Sequence, residues 1–170
     1  MISWGNARPR YLRFAASWNL PAPSLRGNIV TKQPGWTWQL DQRIPSRTQA
    51  AGLIIDALLA QLEAEHWNRQ EVFGIHLAVE EALVNAITHG NKEDPEKSVH
   101  VRVQTSPAQL RIEIVDEGAG FDPSDIPDPT SSARLTRPHG RGLMLIQTFM
   151  THVEYKGRGN ELVMEKVRAG

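Results

Sequence analysis

Residues 80–91 read EEALVNAITHGN, and they end a segment in which apolar residues recur every three or four positions. That period predicts an amphipathic helix over about residues 70–89. The apolar stripe consists of Val72, Ile75, Val79, Ala82, Leu83 and Ala86. Glu81, Asn85 and His89 are spaced by four, so we expect their side chains to lie on one face of the helix, one turn apart.

This polar face has two interpretations. Taken alone, it is more often a solvated acidic face with a histidine near the helix C-terminus, where a positive charge complements the helix dipole. In the second interpretation, Glu81 and Asn85 point together at a metal-bound phosphate, with the amide as a magnesium ligand and the carboxylate as a base. Magnesium takes oxygen ligands and keeps several waters, so one protein ligand suffices where phosphates supply others.

A second segment, DEGAGF at residues 116–121, directly follows the apolar strand-like residues 112–115. A carboxylate at a strand end can accept a hydrogen bond from the exocyclic amine of a base, and glycines let a flat ring approach the backbone. An ordinary Asp-Gly turn that closes a hairpin is equally common for such a segment alone. Because no strand pattern follows the turn, the binding site is favoured.

A third segment, HGRGLM at residues 139–144, places two glycines at the start of a predicted helix. Free backbone N–H groups and the helix dipole can bind phosphate there. The pattern is weak evidence alone, because Leu145 stands where a dinucleotide-binding fingerprint has its third glycine. The alternative is a flexible loop that leads into a helix.

The whole chain predicts an α/β two-layer sandwich of the α+β type, with a mixed, largely antiparallel sheet and helices on one face. Residues 1–35 are expected to be an extension without an assigned role, and residues 36–170 the folded domain. Residues 118–139 are expected to form a long functional loop, a lid over the site. Strands are expected near 36–45, 99–103, 110–114, 152–156 and 161–167, and helices near 46–66, 70–89 and 142–150, with Ser46 as an N-cap and Gly90 just past a helix end.

Composition narrows the function classes. Lys plus Arg number 19 and Asp plus Glu number 19, which gives no broad attraction to nucleic acid or to an anionic membrane. There is no cysteine, and no apolar run approaches the roughly 20 residues of a membrane span. We therefore expect a cytoplasmic protein whose partner is a protein or a small molecule, with no direct contact to nucleic acid or membrane.

In order and spacing, the three segments resemble the N box, G1 box and G2 box of the GHKL ATPases, the superfamily of gyrase and the histidine kinases, which share the Bergerat ATP-binding fold. Within it they are most similar to the bacterial anti-sigma-factor serine kinases, over about residues 40–167. The resemblance implies that Glu81 is the general base, Asn85 the magnesium ligand and Asp116 the adenine-binding carboxylate. The hinges and phosphate contacts of the ATP lid would be Gly118, Gly120, Gly140 and Gly142.

The resemblance also implies further ATP contacts. These predicted contacts are His89, Phe121, Arg137, Arg141 and Leu143. Some family members carry an arginine just before the G2 glycines that reaches the terminal phosphate; Pro138 and His139 occupy that place here. Arg137 and Arg141 are therefore the nearest candidates for that role.

The implied function is a serine protein kinase that uses ATP and Mg²⁺, phosphorylates a STAS-type anti-anti-sigma protein, sequesters a sigma factor and forms a homodimer. The alternative is a non-catalytic ATP- or ADP-dependent protein-binding switch of the same fold, against which the retention of Glu81 argues. The catalytic half of a histidine kinase is disfavoured, because the first forty residues are too short and proline-rich for a helical dimerisation segment. A fold without nucleotide would be expected to lose Asp116 or the glycines, and both are present.

Overall fold

The computed structural model describes residues 35–120 and 138–169, with side chains in the second range from residue 142 onward. Five strands form one sheet in the order β1-β2-β3-β5-β4, and each neighbouring pair is antiparallel. The strands are β1 (Trp38–Pro45), β2 (Ser98–Thr105), β3 (Gln109–Val115), β4 (His152–Lys156) and β5 (Glu161–Val167). The helices are α1 (Thr48–Ala64), α2 (Arg69–Val84), a π-helical turn (Asn85–Gly90) and α3 (Pro138–Phe149).

The core lies between one face of the sheet and the helices. In register, Val101 pairs with Ile114 and Ile114 with Leu162, and all three are buried. Because successive strand residues point to opposite faces, Arg102 and Glu113 lie on the open face, where they form an ion pair. The predicted two-layer sandwich with a largely antiparallel sheet is confirmed.

The predicted N-cap of α1 is wrong. Arg47 occupies the cap position before Thr48, and no side-chain bond caps the helix. Ser46 is fully buried instead: its hydroxyl donates to the carbonyl of Lys97 at 2.9 Å and accepts from the side-chain amide of Asn91 at 2.7 Å. Because the Ser46 hydroxyl is hydrogen-bonded to Lys97 and Asn91, it connects the start of α1 to the sheet and does not cap the helix.

Two other helix ends differ from expectation. The helix predicted over residues 70–89 becomes a π-helical turn after Val84, and Gly90 lies inside that turn without a positive φ. Gly90 therefore does not end the helix as a left-handed cap. The helix predicted to start at Gly142 begins at Pro138. Proline suits the first helical position, because a backbone N–H there has no hydrogen-bond partner within the helix and its absence loses no bond.

The three sequence motifs meet at one edge of the sandwich. The π-helical turn lies beside the end of β3, where a Cβ on Gly90 would contact the Asp116 side chain. The turn between β4 and β5 reaches the same place, because the amide of Asp116 donates to the carbonyl of Asn160 at 3.0 Å. In the described parts of the chain, no helix combines the length and apolar character needed to cross a membrane.

Candidate functional site

Glu81 lies in the last turn of α2, where its carboxylate meets the side chain of Asn85. The Nδ2 of Asn85 donates to Oε1 of Glu81 at 3.0 Å, and both residues are partly exposed. An amide has one oxygen and one nitrogen. With its nitrogen engaged by Glu81, Asn85 keeps its oxygen as the group that can accept a proton donor or bind a cation.

The backbone that carries Asn85 is unusual. The amide of Asn91 donates to the carbonyl of Ala86, five residues earlier, at 2.9 Å. Such π-helical turns are rare and frequently occur at functional sites. His89 lies in this turn and is exposed, and its contact with ATP stays a prediction.

Glu81 also explains a glycine of the third motif. A Cβ on Gly142 would overlap the Glu81 carboxylate and lie 2.9 Å from its Cγ. The two helices are also in close contact at Gly74 of α2, where a Cβ would lie 2.5 Å from Cδ1 of Phe149 in α3. Close packing of α2 on α3 therefore brings Gly142, one turn into α3, to the carboxylate of the first motif.

Tyr155 of β4 adds a residue that the sequence analysis missed. Burial, and next the negative charge of Glu81, raise the pKa of Tyr155 to about 12. The phenol therefore stays neutral at physiological pH beside the carboxylate. Its alternation with polar neighbours in β4 indicated a core position but not its proximity to α2.

Asp116 lies just past the end of β3 and is half-buried. Its Oδ1 accepts from the amide of Gly118 at 2.8 Å. A Cβ on Gly90 would lie 2.6 Å from both carboxylate oxygens, and a Cβ on Gly118 would lie 2.6 Å from the carbonyl carbon of Gly90. Two glycines thus form a narrow cradle around one carboxylate.

The electrostatics of Asp116 reflect this position. Burial raises the pKa of its carboxyl group, because the charged form loses hydration. The hydrogen bond from Gly118, and then the positive charges of Arg158 and Lys97, act in the opposite direction.

Asn91 connects the first and second motifs through hydrogen bonds of its buried side chain. It is fully buried, and its Nδ2 donates to Oγ of Ser46 at 2.7 Å and to the carbonyl of Ser98 at 2.8 Å. Its Oδ1 accepts from the amide of Glu117 at 2.7 Å. The end of the first motif therefore holds the backbone of the second. An asparagine after a glycine is typical of a surface turn, so its burial could not be predicted from the local pattern.

The turn between β4 and β5 supports the second motif from the other side. Nη2 of Arg158 donates to the carbonyl of Gly118 at 2.9 Å, and Nδ2 of Asn160 donates to the carbonyl of Asp116 at 2.8 Å. Gly120 has a φ of +79°, and a Cβ there would overlap the carbonyl of Arg158. The loop from Asp116 to Gly120 is thus held on both sides.

The predicted residues fall into three groups. Glu81, Asn85 and Gly142 meet where α2 packs on α3, and Asp116, Gly118 and Gly120 lie in the loop after β3, with Gly90 in contact with that loop. Gly140 and Arg141 belong to the first turn of α3, and Leu143 follows, partly exposed. The side chain of Arg141, all of Phe121 and Arg137, and most of the predicted lid lie outside the described residues.

The sequence model of a family described as the histidine kinase-like ATPase domain matches residues 44–166. The chain belongs to this family. The match spans both halves of the site, from the end of β1 into β5. It confirms the superfamily that the three motifs predicted.

Curated relatives of this histidine kinase-like ATPase refine the assignment. The anti-sigma F factor of Clostridium beijerinckii is 31% identical over 123 residues, which are 68% of this chain and 82% of that protein. The serine-protein kinase RsbW of Bacillus subtilis is 26% identical over 130 residues, 73% of this chain and 81% of that protein. The serine/threonine-protein kinase BtrW of Bordetella bronchiseptica is 27% identical over 96 residues, 55% of this chain and 68% of that protein. The chain is accordingly an ATP-using serine/threonine kinase of the anti-sigma-factor group.

A solved structure agrees on the fold. The crystal structure of the RsbU and RsbW domains of a Mycobacterium tuberculosis protein matches 79% of this chain with a TM-score of 0.51 and 14% identity. This chain spans about a third of that longer protein, 34% of its length. At this identity the likeness supports the architecture of the histidine kinase-like ATPase.

The cradle around Asp116 gives a first prediction for this ATPase. Replacing Gly90 by alanine is expected to push the Asp116 carboxylate aside, to cost about 1–3 kcal/mol of stability as overpacking does, and to weaken ATP binding. Melting curves and calorimetric ATP titration measure both effects. Gly52→Ala is the matched control, because a Cβ there meets nothing within 4 Å, and it should be neutral or slightly stabilising. ATP affinity equal to that of the unmodified protein in Gly90→Ala would contradict the cradle.

Proposed function

We propose that this chain transfers the γ-phosphoryl group of ATP to a serine of a small STAS-type anti-anti-sigma protein, and that in its other state it sequesters a sigma factor. The pairing of Glu81 with Asn85 beside Gly142 carries the proposal, because it places a base and a cation ligand against the glycine-containing N-terminal part of α3. The names of the relatives, anti-sigma F factor and serine-protein kinase, support the same pair of activities.

Adenine recognition is assigned to Asp116. One carboxylate oxygen accepts from Gly118, which leaves the other to accept from the exocyclic amine of adenine. The absence of side chains at Gly90 and Gly118 lets the π-helical turn and the loop after β3 close tightly around the carboxylate, which holds it in place for adenine. Gly120, Phe121 and Leu143 complete the proposed contacts.

Phosphate binding is assigned to the first turn of α3, which contains Gly140 and Arg141. Backbone N–H groups of a first helical turn lack partners within the helix, and the helix dipole favours negative charge there. Arg137 and Arg141 remain the proposed cationic contacts to the terminal phosphate.

The donor set fits a magnesium ion bound with the nucleotide. The amide oxygen of Asn85 is a hard oxygen ligand, and phosphate oxygens and water supply the rest of the coordination that magnesium requires. When bound, the ion would neutralise charge on the phosphates during transfer. Asn85 would hold it through Oδ1 while Nδ2 stays bonded to Glu81.

Transfer would then need a base and an aligned hydroxyl. The partner's serine hydroxyl gives its proton to the Glu81 carboxylate while its oxygen bonds to the γ-phosphorus. The bond from the γ-phosphorus to the bridging oxygen breaks, and ADP leaves. Glu81 is suited to this role because Asn85 and the backbone at Gly142 fix its carboxylate, and phosphoryl transfer depends mainly on such positioning.

The wider assignment follows from the same proposal. The kinase domain comprises residues 36–170, residues 1–35 are an extension without a proposed role, and the protein acts in the cytoplasm, where sigma factors bind RNA polymerase. A homodimer is part of the proposal. The second candidate is a switch that binds ATP or ADP and a partner without phosphoryl transfer; the base position of Glu81 argues against it.

Incubating the protein with Mg²⁺, γ-labelled ATP and a STAS-type protein encoded beside it tests the proposal. We expect label on one serine of the STAS-type protein, located by mass spectrometry and abolished by replacing that serine with alanine. Chelation of Mg²⁺ should also abolish it. Tight ATP binding without transfer would overturn the kinase in favour of the switch, and label on a histidine of the chain itself would contradict both.

A further inference from the structure

The turn that joins β4 to β5 (residues 157–160) reaches the adenine-binding loop with a charged side chain. Arg158 donates through Nη2 to the carbonyl of Gly118 at 2.9 Å. The same residue's carbonyl lies where a Cβ on Gly120 would be. Arg158 therefore contacts the loop through both its side chain and its backbone, at the two glycines that flank Ala119.

A second contact fixes this turn to the loop independently of the arginine. Asn160 donates through Nδ2 to the carbonyl of Asp116 at 2.8 Å, and its own carbonyl accepts from the amide of Asp116 at 3.0 Å. These two bonds set the distance between the turn and the loop. Removal of the Arg158 side chain should therefore change the loop's charge and one hydrogen bond, and leave the backbone pairing in place.

We propose that Arg158 is a nucleotide-positioning residue, which holds the carbonyl of Gly118 through its guanidinium and brings a positive charge to the loop that presents Asp116 to adenine. The proposal rests on the proposed ATP site and extends it to a residue outside the three motifs. Arg158 acts through the loop, and its effect should be greatest on ATP affinity rather than on the transfer step.

The charges around Asp116 support the electrostatic half of this role. Burial raises the pKa of Asp116, and the amide of Gly118 and the charges of Arg158 and Lys97 oppose that rise. From the π-helical turn, uncharged Gly90 lies against the carboxylate. Loss of Arg158 should therefore raise the pKa of Asp116 further. At any mildly acidic pH less of the carboxylate would be ionised, and ATP binding would be lost at a higher pH as the solution is acidified.

Three substitutions separate hydrogen bonding from charge. Arg158→Ala removes both, Arg158→Gln keeps a donor without the charge, and Arg158→Lys keeps the charge with a single-point donor. Arg43→Ala is the matched control, because Arg43 is exposed and pairs with Glu117 of the same loop at 3.9 Å without contacting Gly118.

ATP titration by calorimetry from pH 5 to pH 8, with melting curves for every variant, is the test. Near pH 7.5 we expect Arg158→Ala to bind ATP about three- to tenfold more weakly, the effect of one hydrogen bond, and its binding to fall off at a higher pH than that of the unmodified protein. Arg158→Gln should recover the ATP affinity near pH 7.5 but still lose binding at the higher pH. Arg158→Lys should lose binding at the same acidic pH as the unmodified protein. Arg43→Ala should match the unmodified protein in both.

The possible results are distinct. If Arg158→Ala melts at a lower temperature but binds ATP with an unchanged pH profile, or if it equals Arg43→Ala throughout, the positioning role is overturned while the ATP site stands. If the unmodified protein does not bind ATP at all, the proposed function falls and this inference falls with it.

Discussion

Replacing Glu81 by glutamine is expected to lower phosphoryl transfer by about a hundredfold or more, the scale usual for loss of a general base. Glutamine keeps the shape of the side chain and an oxygen that can accept from Nδ2 of Asn85. It cannot take up the serine proton. ATP affinity should therefore stay within a few-fold of that of the unmodified protein. Single-turnover transfer to the STAS-type protein and calorimetric ATP titration measure the two quantities separately.

Glu80 is the internal control for that experiment. It is the sequence neighbour of Glu81, but it is exposed, and its Oε2 lies 3.8 Å from Nε2 of His76, four residues earlier on the helix. Glu80→Gln should leave both transfer and affinity nearly unchanged. Unaltered turnover in Glu81→Gln, or equal losses in the two variants, would remove Glu81 from the role of base.

Replacing Asp116 by alanine is expected to weaken ATP binding by roughly 2–3 kcal/mol, within the range for a lost hydrogen bond to a charged group. The unmodified protein should prefer ATP over GTP, because guanine presents a carbonyl where Asp116 needs a donor. Asp116→Asn should lose less, since its amide can rotate to present an oxygen. ATP and GTP titrations of the three proteins measure these differences.

A purely structural Asp116 predicts something else. Its Oδ1 accepts from the amide of Gly118, so some loss of thermal stability is expected in Asp116→Ala under either interpretation. Nucleotide preference is therefore the deciding quantity. Equal affinity of the unmodified protein for ATP and GTP would exclude Asp116 from adenine recognition.

The sheet was predictable because its signal is local. The alternation of Val99, Val101 and Val103, and of Ile112 and Ile114, depends only on the two-residue period of a strand. All five are buried against the helices. The short connection between these runs then fixed the antiparallel hairpin of β2 and β3.

The reasons for individual residues were less predictable, because they depend on contacts between distant segments. By position Gly90 looks like a helix terminator, yet the structure leaves no room for its Cβ beside Asp116. Ser46 looks like an N-cap, yet its hydroxyl is taken by Asn91 and Lys97. A local sequence pattern indicates the secondary structure that one segment prefers, but it does not indicate which other segment packs on it.

The support for the adenine loop was missed for a related reason. The sequence Gly157-Arg158-Gly159-Asn160 is explained by turn chemistry alone, since both glycines have positive φ, +61° and +85°. Nothing in it indicates that the arginine and asparagine side chains reach Gly118 and Asp116. The same applies to Tyr155, whose electrostatic interaction with Glu81 exists only once β4 and α2 are brought together by the fold.

If three separate segments form one ATP site, they should respond to the nucleotide together, and amide NMR spectra of the ¹⁵N-labelled protein during ATP titration test this most directly. We expect the backbone amides of Gly90, Gly118 and Gly142 to shift together with one dissociation constant. The side-chain amide of Asn85 should shift further only when Mg²⁺ is present. Unchanged signals at these positions, with shifts confined to the open face of the sheet around Arg102, would contradict the claim.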